Sequence, residues 1–158
     1  MKNDLHVHFD ICLCLFIVSA IVALDRLTKI CFSHILLLGE SLPVIRNVIH
    51  MTLVHNTGIA FGLFKNQGIV FIIIPLIMIA LLIYNFYHSK YNNEHLSRLY
   101  IVAVSLILAG AIGNLIDRIF YGYVIDFIDL RLWPVFNVAD SAITIGAFLL
   151  LWRLNSSS

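Results

Sequence analysis

The chain has 158 residues, 61% hydrophobic and 12% charged, with a net charge of +1. An ordinary soluble domain carries about 25% charged residues, so this sequence cannot clothe a water-facing globule, and it is too apolar to stay disordered. The near-zero balance offers no bulk attraction for nucleic acid, and the length allows one domain spanning residues 1–158.

The first run free of Asp, Glu, Lys and Arg covers residues 11–24, only 14 residues. A membrane helix needs about 20. Admitting polar residues at its outer end predicts a helix over about 9–29 that carries Asp25 and Lys29. The segment has Asp4 and Asp10 where a signal peptide has a basic start, and no small-x-small cleavage site follows, so it reads as a retained span. Cys12 and Cys14 are i,i+2 and point to different sides of that helix; with Cys31 they form no disulfide framework. Residues 30–68 contain β-branched runs around Pro43–Val54 and then His-Asn-Thr-Gly, which predicts a few short strands resting on the membrane.

Residues 66–89 form an uncharged run of 24 residues and predict a second helix over about 67–87, kinked at Pro75. Residues 87–98 are a short polar loop. Residues 99–116, 18 residues without charge, predict a third helix over about 98–116. A connection rich in aromatics and Asp follows at 119–135. The uncharged run at 141–152 has 12 residues and extends to a fourth helix over about 137–154. The fold class is therefore an all-α membrane protein with four transmembrane helices and a small sheet between helices 1 and 2. Ala109/Gly113 and Ala142/Gly146 are small-xxx-small pairs suited to close contact between helices 3 and 4. By parity, 30–68 and 119–135 share one side. That side carries Arg26, Lys29, Arg46, Lys65, Arg118 and Arg131, so a simple positive-inside count places the termini outside.

Acids are few, and their placement is informative. Asp25, Asp117, Asp126, Asp129 and Asp140 all fall at one side, at the ends of spans one, three and four, where an ionisable residue is a functional hypothesis by default. Asp25 and Lys29 are i,i+4 and form an ion pair on one helix face. Asn114 and Arg118 have the same spacing. Asn137 is placed to cap the last helix, with Asp140 in its first turn. Two carboxylates from different segments share one proton when they meet, so one activates water while the other donates. Pro134 interrupts the chain between Asp126 and Asp140, so they lie on separate elements. Spacing alone does not choose the pair among the five aspartates. No His-Glu-x-x-His, Ser nucleophile elbow or phosphate-binding Gly loop is present, and the seven histidines read as interfacial polar residues.

Five segments carry a resemblance: Asp25-Arg-Leu-Thr-Lys29, Asn56-Thr-Gly58-Ile-Ala60-Phe61-Gly62, Gly113-Asn114-Leu-Ile-Asp117-Arg118, Val124-Ile-Asp126-Phe127-Ile128 and Phe136-Asn137-Val-Ala139-Asp140-Ser141. In this order they resemble the lipoprotein signal peptidase family, also called signal peptidase II. The resemblance implies an aspartyl endopeptidase of the bacterial inner membrane. Such an enzyme cuts signal peptides from prolipoproteins on the amino side of a diacylglyceryl-modified cysteine. It implies Asp126 and Asp140 as the catalytic dyad, with Asn56, Gly58, Asn114, Asp117, Arg118 and Asn137 supporting them or binding substrate, and Asp25 with Lys29 as a structural pair. It also implies no cofactor or metal, a monomer among membrane lipids, cytoplasmic termini despite the charge count, and a periplasmic sheet. The connection Phe127–Ala139 is compact for that family; it is expected to cover the substrate as a flap or short helix, with Trp133 supplying bulk. The rival reading is a proton-coupled carrier or channel component, which needs acids deep in the spans. Here nine of the 19 formal charges fall in residues 25–29 and 117–140.

Overall fold

The computed structural model describes residues 2–58, 69–91 and 96–156. Positions 59–68, including Ala60, Phe61 and Gly62 of the second motif and the start of the predicted second span, lie outside them. Four helices and three strands follow in the order α1 (Lys2–Ile35), β1 (Ser41–Ile45), β2 (Ile49–Asn56), α2 (Val70–Tyr91), α3 (Arg98–Tyr121), β3 (Val124–Asp129) and α4 (Val138–Ser156).

The helices form where the apolar runs predict them, and each runs past its expected C-terminal end, α1 and α3 the furthest. α1 continues to Ile35, past the expected end at 29, because Lys29 is buried against other polar groups rather than facing water. α3 continues to Tyr121, beyond the expected 116. It stops where Gly122 adopts φ 79° and returns its N–H to the Arg118 carbonyl, a left-handed stop that only glycine takes without strain. At the other end Ser97 caps α3 by accepting the Tyr100 N–H. Pro75 lies inside α2 as expected.

The sheet differs from expectation. Its order is β1-β2-β3, all antiparallel, and the third strand comes from the connection between α3 and α4, not from the segment between the first two helices. The run Val-Ile-Asp-Phe-Ile-Asp lacks simple alternation because it is buried on both faces, so the period-2 signal is absent. β1 is a fully exposed edge strand, which accommodates Pro43. Phe32 of α1 stacks on Phe127 of β3 at 4.6 Å, and Leu36, Leu53 and Ile125 form a small core under the sheet.

α3 is the buried centre and packs most extensively on α4 and α1. The small-residue pairs contribute as expected. Ala109 and Ala142 are buried, and Gly113 faces Asp25 so closely that an added Cβ would sit 2.9 Å from its Oδ2. Gly110, outside the predicted pairs, makes the tightest approach, against the Ala139 carbonyl. The outer faces of α1, α2 and α4 are apolar and exposed, including Phe16, Ile77 and Phe148. Two described helical segments, Phe9–Ile35 and Arg98–Tyr121, are long and apolar enough to cross a membrane, and Ile72–Asn85 is a shorter apolar helix.

Gly110→Val should prise α3 from α4 and cost at least about 1–3 kcal/mol by overpacking. Gly122→Ala, strained only in its backbone, should cost about 1–2 kcal/mol. Thermal unfolding in detergent checks the order, with Gly110→Val expected to melt first.

Candidate active site

The site is built where the C-terminal ends of α1 and α3 meet the start of α4 and strand β3. Its base is a buried ion network. The Lys29 ammonium lies 2.9 Å from Asp25 Oδ2 and 2.7 Å from Asp117 Oδ2, and donates to Asn114 Oδ1 at 3.1 Å. Three donors thus meet three acceptors. Arg26 adds a second cation, 3.1 Å from Asp25 and 2.7 Å from Asp117 Oδ1, the latter in ion-pair rather than hydrogen-bond geometry. Two acids and two bases make the network neutral, which is what allows it to be buried. Arg26 was not singled out from the sequence. Its signal was available, since Asp25, Arg26 and Lys29 fall within one helical turn.

The same acids tie the elements together. Asp25 Oδ1 accepts the Ala139 N–H in the first turn of α4, at 3.1 Å. Asp117 Oδ2 accepts the Ile125 N–H of β3 at 3.2 Å. Asp25 and Lys29 are therefore more than a pair on one helix.

α4 begins with a reciprocal cap. The Asn137 side chain accepts the Asp140 N–H at 2.9 Å, and Asp140 Oδ2 accepts the Asn137 N–H at 3.2 Å. The loop before it is closed by a bridge between Ile128 and Phe136, whose two backbone hydrogen bonds of 2.8 and 3.0 Å bring Asn137 back beside β3. No helix forms in this connection, so the expected flap is a turn carrying the exposed Leu132 and Trp133.

Asp126 and Asp140 meet at Asn137. The Asn137 Nδ2 donates to Asp126 Oδ1 at 2.7 Å and to Asn114 Oδ1 at 3.0 Å, while Asn114 Nδ2 donates to Asp140 Oδ1 at 2.7 Å. Asn56 donates to Asp126 Oδ2 at 2.9 Å. Its own oxygen accepts the Gly58 N–H at 2.9 Å, with Gly58 at φ 81°, and this turn fixes which end of the amide faces the acid. Asn56 pairs with Val124 across the sheet, which puts Asp126 two residues along the neighbouring strand. The Arg118 guanidinium interacts electrostatically with Asp140, Asp126 and Asp117.

The carboxyls differ in environment. Burial pushes Asp126 up to about 6, partly opposed by the Asn56 amide and reinforced by Asp140. Asp129 moves the other way, held below the usual range by the Thr52 hydroxyl and the Arg131 N–H, each at 2.8 Å. Asp129 belongs to a separate cluster in which Ser41 and Arg131 approach His50 Nδ1 at 3.1 and 2.8 Å. His50 is buried there, contrary to the interfacial placement expected of the histidines. Beside Asp140 a groove of about 420 Å³ is lined by Leu130, Trp133, Phe136, Ser141, Thr144 and Ile145. Among the described residues, no three His, Cys, Asp or Glu side chains converge as metal ligands.

Lys29→Met should leave two buried acids short of a partner and destabilise the protein by about 3–5 kcal/mol. Adding Asp117→Asn removes one of those charges and should recover part of the loss. Denaturant unfolding of the single and double variants checks this; full additivity would mean the two do not share a network.

The signal peptidase (SPase) II family model matches residues 17–155. The lipoprotein signal peptidase of Halothermothrix orenii is 40% identical over 138 residues, 87% of this chain and 92% of its own length. That of Syntrophomonas wolfei is 48% identical over 132 residues, 83% and 85% of the two chains. A solved bacterial membrane enzyme, determined by the in meso method, is 35% identical with a TM-score of 0.80, covering 90% of this chain and 87% of its own.

Proposed function

The chain belongs to the signal peptidase II family, and from that premise we propose that it is an aspartyl endopeptidase cleaving prolipoproteins on the amino side of a diacylglyceryl-modified cysteine. The observation that carries the mechanism is the single side chain of Asn137, which bonds Asp126 through its nitrogen and the Asp140 N–H through its oxygen. An acid from a strand and an acid from a helix thereby share one side chain, and Asp140 of the two lines the groove.

The environments suggest a division of labour. Asp140 accepts the Asn114 amide and the Asn137 N–H, and it sits in the first turn of α4, where the helix dipole favours a negative charge. It is the member placed to take a proton from water. Asp126, raised by burial, holds the shared proton. Asp140 takes a proton from water as the water oxygen bonds to the scissile carbonyl carbon. Asp126 gives its proton to the carbonyl oxygen. The carbon–nitrogen bond then breaks as Asp140 passes its proton to the leaving amine and Asp126 recovers one from the gem-diol. Arg118 and the asparagines orient the acids and the substrate backbone. Neither step calls for a metal or cofactor.

The apolar outer faces of α1, α2 and α4 support four spans in a membrane; the family likeness supports the cytoplasmic membrane, with both termini cytoplasmic and the sheet and dyad at the outer face. Lipid esters then stay in the leaflet beside the Leu132–Trp133 turn while water reaches the acids. The chain acts as a monomer, since both carboxyls come from one copy.

Asp126→Asn and Asp140→Asn should each abolish cleavage of a lipidated precursor while the protein stays folded. Asp129→Asn and Cys31→Ala should retain it, because neither group touches the dyad. Release of signal peptide by purified protein is the readout, and turnover by either dyad variant would refute the assignment. The pH profile has a sign as well. The reaction needs one proton on the pair, so kcat/KM should fall as pH rises through about 6, the value for Asp126. Asn56→Ala removes a hydrogen bond that favours the charged form, so that limb should move to higher pH.

A further inference from the structure

The ion network has a second face, away from the dyad. Arg26 and Lys29 line an open pocket of about 390 Å³ between the end of α1, strand β2 and the end of α3. Ser33, His34, His55 and Tyr121 add polar groups to its wall. Among the described residues no Asp or Glu lines it, and it shares no lining residue with the groove beside Asp140. The acids of the network are turned elsewhere: Asp25 Oδ1 is spent on the Ala139 N–H and Asp117 Oδ2 on the Ile125 N–H. The network is neutral as a whole, but Arg26 and Lys29 are its members that line this pocket.

Two further features fit an anion. Arg26 uses its terminal nitrogens on Asp117, Asp25 and the Gly113 carbonyl, yet its Nε–H is buried without an acceptor among the described residues. A buried donor left over beside a pocket calls for a water or a ligand oxygen reached through one. The aromatic wall is ordered, with Tyr121 stacked on Tyr123 at 6.0 Å and Tyr123 on His55 at 3.9 Å. The rim is apolar, and its Leu37 and Leu38 are exposed. Donors without acids inside, and leucines at the mouth, suit an amphiphile with an anionic head.

We propose that this pocket binds the phosphodiester head group of an outer-leaflet phospholipid, with the acyl chains passing the leucine rim. The proposal rests on the membrane placement given above. The ligand is distinct from the substrate, whose diacylglyceryl-cysteine carries no phosphate.

The test uses the purified full chain in detergent and reads binding, so it does not depend on cleavage. Phosphatidylglycerol, a diacylglycerol with the same chains, and inorganic phosphate are added separately, with thermal unfolding and native mass spectrometry as readouts. Phosphatidylglycerol should be retained and should raise Tm, and the other two should do so far less. Equal stabilisation by diacylglycerol would make the effect one of acyl chains, and equal stabilisation by phosphate would make the site one for the free anion; either result overturns the proposal. Ser33→Trp fills the pocket and should weaken phosphatidylglycerol binding about tenfold, the loss of roughly one charge-assisted hydrogen bond. His34→Ala, on the exposed rim, is a milder second variant expected to weaken it in the same direction. Unchanged affinity in both variants would also overturn the proposal. Intact lipid binding in a protein that fails to cleave would count against the peptidase reading alone.

Discussion

Lys29 is buried, and each of its three N–H donors meets a different acceptor: Asp25, Asp117 and Asn114. Much of the outer end of the molecule depends on this. A lone ammonium in so dry a place would lose its proton or unfold its surroundings. Here it fixes the acid that caps α4, the acid that holds β3, and the amide that holds Asp140. An ion network with every charge balanced adds little stability by comparison with an apolar core. What it supplies is a fixed arrangement, because Asp25 bonds the start of α4, Asp117 bonds β3, and Lys29 joins both acids to Asn114 of α3.

The dyad is an outgrowth of that arrangement. Asn137 does two jobs that are separable in the sequence and joined in the structure. It caps α4 by accepting the Asp140 N–H, and it touches both carboxyls, Asp126 through its side-chain nitrogen and Asp140 through its backbone N–H. The helix-cap account of Asn137 and Asp140 and the catalytic account are compatible, since the cap uses the Asp140 Oδ2 while Asn114 bonds the Oδ1. The cap fixes the carboxylate in a place where the helix dipole favours its charge. The strand holds Asp126 where burial favours its proton. One fold thereby gives two like groups different environments, on which the proposed division of labour rests.

Much of this was legible in the sequence. The uncharged runs gave the helices, since only apolar stretches of that length suit a bilayer. The cap was readable from Asn137 and Asp140 at i,i+3, and the Asp25–Lys29 pair from i,i+4 spacing. β3 was not readable, because a strand buried on both faces shows no alternation and pairs with a strand some 70 residues away. The Ala139 contact of Asp25 and the tight approach at Gly110 are equally hidden, because each depends on how α1, α3 and α4 come together. The choice of Asp126 over Asp129 came from family likeness. The environments differ in a way that suits that choice: Asp129 accepts from Thr52 and Arg131 in a separate cluster, whereas Asp126 accepts from Asn56 and from Asn137, which also contacts Asp140.

The central claim is that Asp126 and Asp140 hold one proton between them, and that Asp126 carries it. Infrared titration of enzyme labelled with 13C at its aspartate carboxyls observes that proton directly. The account predicts a protonated-carboxyl band that titrates near pH 6, persists in Asp129→Asn and vanishes in Asp126→Asn. A band that survives in Asp126→Asn, or no protonated carboxyl at that pH in the unmodified enzyme, would contradict it.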